Sequence, residues 1–530
     1  MHADRPSYKW WIALTVVPAG LIGAIDATSV SIAVPSMMTN LRADLDQIQW
    51  VVTISLVMQT LLMPTSNWLT GLIGRRRLFV TSLVCVIAAT LLCSLSWSLE
   101  SLIFFRALMG LASGVLQPLT MAILFSTFPP EQRGTAMGLF NTSIALGLII
   151  GRFGGMLVDI FDWRMIFFLT IPFSASSAIL GYVLLPKQDR QQPQRRGIDI
   201  WGILTMGGFL VPLMIALTRG RFEGWDSSLI RGLFVLSAVS LTTFIIIELR
   251  LSNPLVDLRL YTNFNFAMGS LVQFLVSVLF SSSTFLINIF LQHVYQFTPT
   301  QVGLLLFPQG IVYGIGSLWA GRLSDYLDPR LPLLLGLISF AVVYFWLGGI
   351  SAVATSTIIM VMLCLRSFSF SCVNSPNTLM TLRALPEDKM GMGTGLFSVS
   401  RGIAGTLSVA LTASLLEQQR AVHAIELAQQ QGLLALPAEW AMATLYQMFT
   451  DLGDTVDIAQ VKALAQFHNM MIAEASVKAY QDIFMLSGFI SLFNILPAFL
   501  RSRKTPSPTP AQTPAPATVT ERADATPRNA

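Results

Sequence analysis

Charge is what this sequence most lacks. Only 12% of its 530 residues are Asp, Glu, Lys or Arg, about half the ~25% of an average soluble domain, so water is not the solvent of most of its surface. Cysteine is scarce: Cys85, Cys93, Cys364 and Cys372 lie inside apolar stretches with no CxxC spacing and no histidine near them, which argues against a disulfide framework or a zinc site. His2, His293, His423 and His468 are scattered. Neither HExxH, GxSxG nor the phosphate-cradling GxxxxGK[ST] occurs, so metalloprotease, serine hydrolase and ATP-driven chemistry lack their residues. No metal or organic cofactor is expected. The first apolar run has no small-residue cleavage site, so it reads as a membrane helix rather than a signal peptide.

What the chain has instead is apolar length, with 53% of residues hydrophobic. A helix crossing ~30 Å of hydrocarbon needs about 20 apolar residues, and about fourteen such runs occur, near 10–34, 48–71, 78–98, 102–126, 134–160, 164–185, 201–219, 229–248, 266–292, 302–320, 331–350, 355–376, 391–416 and 481–500. The net charge of +5 is no nucleic-acid signal, because the basic residues sit between apolar spans. Most of the 33 fall in alternate segments, among them Lys9, Arg75, Arg76, Arg77, Arg133, Lys187, Arg195, Arg196, Arg250, Arg322, Arg330, Arg383, Lys389, Arg501 and Arg503. The positive-inside rule then places both termini in the cytoplasm.

The expected fold class is an all-α polytopic membrane protein. Residues 1–9 form a cytoplasmic N-terminus, 10–185 a six-helix bundle, 186–265 two linker spans with cytoplasmic flanks, and 266–500 a second six-helix bundle. Within the last, 417–480 is a long outer loop with helical spacing and few Gly or Pro, expected as amphipathic helices on the outer face, the last one running into the final span. The Pro-, Thr- and Ala-rich tail 501–530 has almost nothing to bury and is expected to be disordered.

Short motifs carry more. The turn Asn67-Trp68-Leu69-Thr70-Gly71-Leu72-Ile73-Gly74-Arg75-Arg76-Arg77 recurs in related form as Gly321-Arg322-Leu323-Ser324-Asp325-Tyr326-Leu327-Asp328-Pro329-Arg330. It resembles the basic signature loop of the major facilitator superfamily, whose two halves are homologous. Ile25-Asp26-Ala27-Thr28 with Ile32-Ala33-Val34-Pro35, Arg106 with Gly110, Gly114 and Pro118, and Trp163-Arg164-Met165-Ile166-Phe167-Phe168 resemble signatures of its fourteen-helix EmrB/QacA-type drug:proton antiporters. The resemblance implies two six-helix bundles with two extra central helices, gating by Gly74, Arg75, Arg76, Arg77, Gly321, Arg322 and Asp325, and a proton-relay or gating role for Arg106. The family often works with a periplasmic adaptor, which the outer loop could touch. Two departures stand out. Gly71 occupies the place of an acidic residue, and the fifth span reads Gly147-Leu148-Ile149-Ile150-Gly151-Arg152-Phe153-Gly154-Gly155 without the family's proline. The spacing of Gly147, Gly151 and Gly155 still permits close helix contact.

Ionisable residues at bilayer depth are functional candidates by default. Asp26 is the sole carboxylate well inside a span, against Arg106, Arg152, Arg366 and Arg401. At 1.5 Å per residue, Asp26 and Arg152 lie roughly 12 Å and Arg106 about 6 Å below the outer ends of their spans, so Asp26 could pair with either arginine. Two readings stand for Asp26: a proton-coupling carboxylate, or a fixed counter-ion. Arg152, Arg366 and Arg401 are candidates for a substrate cavity, and arginine in excess of carboxylate favours an amphipathic cargo with an acidic or neutral head. The leading functional expectation is a proton-gradient-driven exporter of small amphipathic molecules in a bacterial inner membrane. The alternative is a transporter-derived scaffold or sensor that does not cycle; an enzyme finds no supporting residues.

Overall fold

The computed structural model describes residues 7–186, 199–251, 254–350, 355–433, 435–453 and 455–500. The first six residues, the basic flank 187–198 and the tail 501–530 lie outside the described residues, as does the expected disorder of that tail. Helices and turns make up what is described, with no strand among them.

The N-terminal half comprises α1 (Tyr8–Leu41), α2 (Leu45–Leu62), α3 (Ser66–Ile73), α4 (Arg75–Ser94), α5 (Leu99–Gly114), α6 (Leu116–Thr127), α7 (Arg133–Ile160), α8 (Met165–Phe168) and α9 (Ile171–Leu184). Then come α10 (Ile200–Glu223) and α11 (Ser228–Arg250). The C-terminal half comprises α12 (Phe264–His293), α13 (Pro299–Tyr326), α14 (Arg330–Gly348), α15 (Ser356–Arg383), α16 (Met390–Leu433), α17 (Ala435–Asp451), α18 (Val456–Phe493) and α19 (Ile495–Leu500). Thirteen stretches are long and apolar enough to cross a bilayer, and α2 with α3 adds a fourteenth if that bent pair is one span, in agreement with the apolar runs.

Proline and glycine set the breaks. α2 and α3 meet at 62° around Pro64, whose ring clashes with the preceding turn and which lacks an N–H. Gly74 then takes φ 88° between α3 and α4, a left-handed conformation that a Cβ would strain. Pro18 and Pro35 stay inside α1, where neighbouring helices tolerate them in a membrane bundle.

Each half has its own apolar core, one around Phe79, Phe125 and Phe140, the other around Phe290, Phe340 and Tyr480. Leu379, Leu382 and Phe397 of the second half join the core of the first. They do so near the end of the molecule that carries Arg75–Arg77, called here the basic end. α10 packs against both halves. Its Arg219 guanidinium lies 5.2 Å from the ring of Trp50 on α2, and Trp225, just after it, donates to Ser414 Oγ of α16 at 2.8 Å.

The 417–480 segment is helical, and its last helix runs on into the final span as part of α18 (Val456–Phe493). α16 is one helix of 44 residues, about 66 Å long at 1.5 Å per residue, more than twice the ~30 Å hydrocarbon thickness. From Thr406 to Gln431 it meets no Gly or Pro, and Val456 to Ser487 of α18 has none either, so nothing ends the helices where the apolar stretch ends. They leave the bundle as a helical projection. His423 ties its base together, with Nε2 2.7 Å from Asp482 Oδ2 and Nδ1 3.0 Å from Glu426 Oε2.

Candidate functional site

Among the described residues, the N-terminal half holds one buried ion pair. Arg106 of α5 reaches Asp26 of α1 with Nη1 2.5 Å from Oδ1, while its Nε donates to the Val51 carbonyl of α2 at 3.0 Å. One guanidinium thus ties three helices. Of the two partners offered for Asp26, the structure selects Arg106. Arg152 points elsewhere: its Nη1 donates to the Leu306 carbonyl of α13, across the junction between halves. α1 also runs to Leu41, beyond the run read from hydropathy, which moves Asp26 from the outer half of its helix toward the middle. The pair is asymmetric in exposure, with the Arg106 side chain 2% and the Asp26 side chain 14% accessible.

Glycine makes the approach of these helices possible. A Cβ at Gly110 or Gly114 would lie 2.4 Å from the Ser55 or Gln59 carbonyl oxygen of α2. On α7, a Cβ at Gly147 would meet the Leu21 carbonyl at 2.6 Å, one at Gly151 would meet Thr28 at 2.7 Å, and one at Gly155 would touch Ile32 at 3.2 Å. The five glycines seat α5 on α2 and α7 on α1, around the ion pair. A cavity of about 240 Å³ lies beside it, lined by Gly20, Gly23, Gln59, Ser113, Gln117 and Leu148 among others. It reaches Ala24, half a turn before Asp26, and its polar lining carries no charge.

Opposite, the second half supplies aromatic rings and arginine. Asn141 of α7 donates to Ser375 Oγ at 3.0 Å and accepts from Asn374 Nδ2 at 2.9 Å, joining the halves through a buried polar seam. Asn374 also donates to the Tyr313 hydroxyl at 3.2 Å, beside which lies the Arg401 guanidinium. Further along α15, Arg366 is 1% exposed and stands 4.6 Å from the ring centroid of Phe280. Ser283 and Thr284 of α12 face it. Both bond back to the Phe280 carbonyl, at 3.1 and 2.7 Å, and both also accept from Arg366.

This arrangement of two helical halves meeting at a polar seam has known relatives. The family model described as Major Facilitator Superfamily matches residues 16–409. The chain belongs to the major facilitator superfamily. Multidrug export protein EmrB of Haemophilus influenzae is 28% identical over 494 residues, covering 92% of this chain and 94% of that one. Fatty acid resistance protein FarB of Neisseria gonorrhoeae is 26% identical over 489 residues, with 92% and 94% covered. Among solved structures, the human organic anion transporter MFSD10 (TETRAN) superposes with a TM-score of 0.57 at 15% identity over 92% of this chain and 100% of that one, a likeness of fold. The chain is therefore a multi-pass membrane protein of the major facilitator fold, and a transporter by family rather than an enzyme.

The superfamily loops are unequal in the two halves. Asp325, at the end of α13, accepts from the Gly134 and Thr135 amides at 2.7 and 2.8 Å and from the Thr135 hydroxyl at 2.6 Å. It caps the N-terminus of α7 in the other half, where a carboxylate meets the positive end of the helix dipole. Gly321 lies against the same turn, a Cβ there falling 2.4 Å from the Gly134 carbonyl oxygen. In the first loop, Gly71 has no atom within 4 Å of where its Cβ would stand, and the Asn67 amide oxygen instead abuts Gly391 at the start of α16. Arg75 donates to Ser126 Oγ at 2.9 Å, and Arg76 reaches the Tyr182 carbonyl and ring. Sequence reasoning missed Gly134, Gly391 and the Asn141–Asn374 pair. A signal for the first two existed: Pro130-Glu131-Gln132-Arg133-Gly134 is echoed by Pro386-Glu387-Asp388-Lys389-Met390-Gly391.

Proposed function

We propose that this chain is a proton-coupled secondary transporter that exports amphipathic small molecules by alternating access, driven by the proton gradient and needing no cofactor. The observation that carries the reading is the buried Asp26–Arg106 pair. The carboxylate is the more exposed partner, at 14% against 2%, so it is the more accessible of the two to a proton. Protonation neutralises Asp26 and slackens the tie that holds α1, α2 and α5 together. Deprotonation restores it. A charge at this depth is costly unless paired, which gives the two protonation states different helix packings and so couples proton movement to shape. Arg152 and Arg401, at the junction and facing Tyr313, are the arginines of the cargo path; Arg366 is the third.

Several lines support this reading. EmrB relatives are named for multidrug export. At the basic end the halves are tied by charged groups, with Arg133 2.7 Å from Glu387 and Arg383 donating to the Pro130 carbonyl at 2.7 Å, as at a closed gate. With the positive-inside rule, that side is the cytoplasm, the membrane is a bacterial inner membrane and both termini are cytoplasmic. The projection built from 417–480 then stands on the outer side, where it offers a periplasmic adaptor a surface. A second reading, a scaffold that no longer cycles, is favoured by the missing carboxylate at Gly71.

Purified protein in proteoliposomes with an imposed pH gradient separates the two. Gradient-driven movement of an amphiphile by wild type, lost by more than tenfold in Asp26→Asn with binding retained, is the expected result. Undiminished transport by Asp26→Asn would place the proton site elsewhere. No transport by wild type of acidic, neutral or cationic amphiphiles would favour the scaffold.

A further inference from the structure

Arg366 is a charged group with the wrong company. It lies on α15 at 1% exposure, and no carboxylate among the described residues lies within 4.0 Å of it. Its partners are neutral. Nη1 faces the Phe280 carbonyl at 3.3 Å, the Ser283 hydroxyl, and Thr284 Oγ1 at 3.2 Å. Nη2 has the Gln309 amide oxygen at 3.2 Å. Nε, fully buried, has no partner.

The distribution of these contacts is informative. A guanidinium offers a carboxylate two parallel N–H bonds from one edge, and the edge formed by Nε–H and Nη2–H is the one left with a single uncharged acceptor. Nη1, on the other side, is saturated by α12. The arginine is therefore held chiefly through Nη1, and its fork edge carries only the Gln309 contact at Nη2, with Nε unpartnered. Beside it stand the rings that an apolar body would meet. Phe280 covers the guanidinium at 4.6 Å, stacks on Phe370 with centroids 3.9 Å apart and lies 6.2 Å from Tyr313. Phe280 is only partly buried, so one part of the ring that covers the buried charge is accessible.

We propose that Arg366 is the anchor of a binding site for amphiphiles with a carboxylate head, gripped through Nε–H and Nη2–H, with Gln309 holding the place of the head and the accessible part of Phe280, backed by the buried rings of Phe370 and Tyr313, meeting the apolar body. This rests on the reading of the chain as an exporter and names the class of its cargo. The carboxylate completes a pair that the protein leaves half-made, so the site selects for charge and not only for apolar area. A guanidinium that merely cross-links α12, α13 and α15 would show no such selection.

The test uses the full chain in lipid nanodiscs and a matched pair of probes, decanoate and decanamide, measured by equilibrium binding above protein-free nanodiscs. Wild type is expected to bind the acid at least tenfold more tightly than the amide. Arg366→Gln removes that preference and leaves amide binding within about twofold. Because Arg366 also ties helices together, Gln309→Glu carries the test independently. It supplies an internal carboxylate to the same edge, so it abolishes the acid preference in a protein whose melting temperature is unchanged or raised. Equal binding of both probes by wild type, binding of neither, or an acid preference that survives Gln309→Glu overturns the proposal. Gradient-driven transport in proteoliposomes is read separately. An Arg366-dependent preference without transport removes the export reading and keeps the site, whereas transport with no such preference does the reverse.

Discussion

Two carboxylate oxygens at the foot of α10 and α11 face a common point with no donor between them. A Cβ on Gly202 would lie 2.5 Å from Asp199 Oδ2 and 2.8 Å from Glu248 Oε1, and both oxygens are buried without a partner. Glu248 Oε2 accepts from the Val256 amide, so Oε1 is the atom turned toward Asp199. Buried like groups without a donor are destabilising. Glu248→Gln places an N–H at Oε1 and is expected to stabilise the protein by about 1 kcal/mol, seen as a rise in melting temperature in detergent; a fall would mean that Glu248 is used as an acid or base. Asp26 and Arg106 show the opposite solution, a pair made complete within the protein. Asp26 and four arginines stood out because charge in an apolar span is rare, but their partners did not follow from depth along the chain.

Helices approach closely here because small residues face each other, and the cost of disturbing that is calculable. Gly114 sits with its missing Cβ 2.4 Å from the Gln59 carbonyl oxygen and 3.0 Å from the Gln59 Cα. Both are backbone, so no side chain can swing away. Gly114→Ala is expected to part α5 from α2 at a cost of about 1–3 kcal/mol and to displace Gln59 from the cavity wall; thermal unfolding of the purified variant checks it. The glycine pattern was legible beforehand, since its spacing declares a packing face. The fate of 417–480 was only half legible. Helical spacing was plain in the residues, but whether those helices would fold back or continue straight depends on how α16 and α18 brace each other, as they do at His423 and Asp482.

In the whole molecule, the two halves are held at the basic end by unequal contacts. Asp325 caps α7 with three hydrogen bonds and also lies 4.0 Å from Arg383, whereas the corresponding contact of α3 with α16 uses Asn67 and has no carboxylate. Removing Asp325 takes away an acceptor for two helix N-terminal amides and a hydroxyl. Asp325→Asn is expected to loosen the basic end, measured as a several-fold rise in thiol labelling of a cysteine placed at Ser317, which is fully buried where α13 meets Gly138. Gly71→Asp has space for a side chain and is expected to act in the opposite direction. Unchanged labelling in both would show that the α7–α13 glycine crossing alone keeps this end shut.

By itself the sequence determined the membrane, the number of spans and the family. These depend on apolar length, on the spacing of Gly and Arg in short loops and on the scarcity of charge, all of which are properties of neighbours along the chain. The tertiary structure decided which charge meets which. Asp26 and Arg106 are 80 residues apart, Asp325 and Gly134 191, and Asn141 and Asn374 233. It also left Arg366 with no carboxylate within 4.0 Å among the described residues. Such pairings depend on the rotation of each helix about its axis and on how the two halves are set against each other, and no local pattern of residues encodes either quantity.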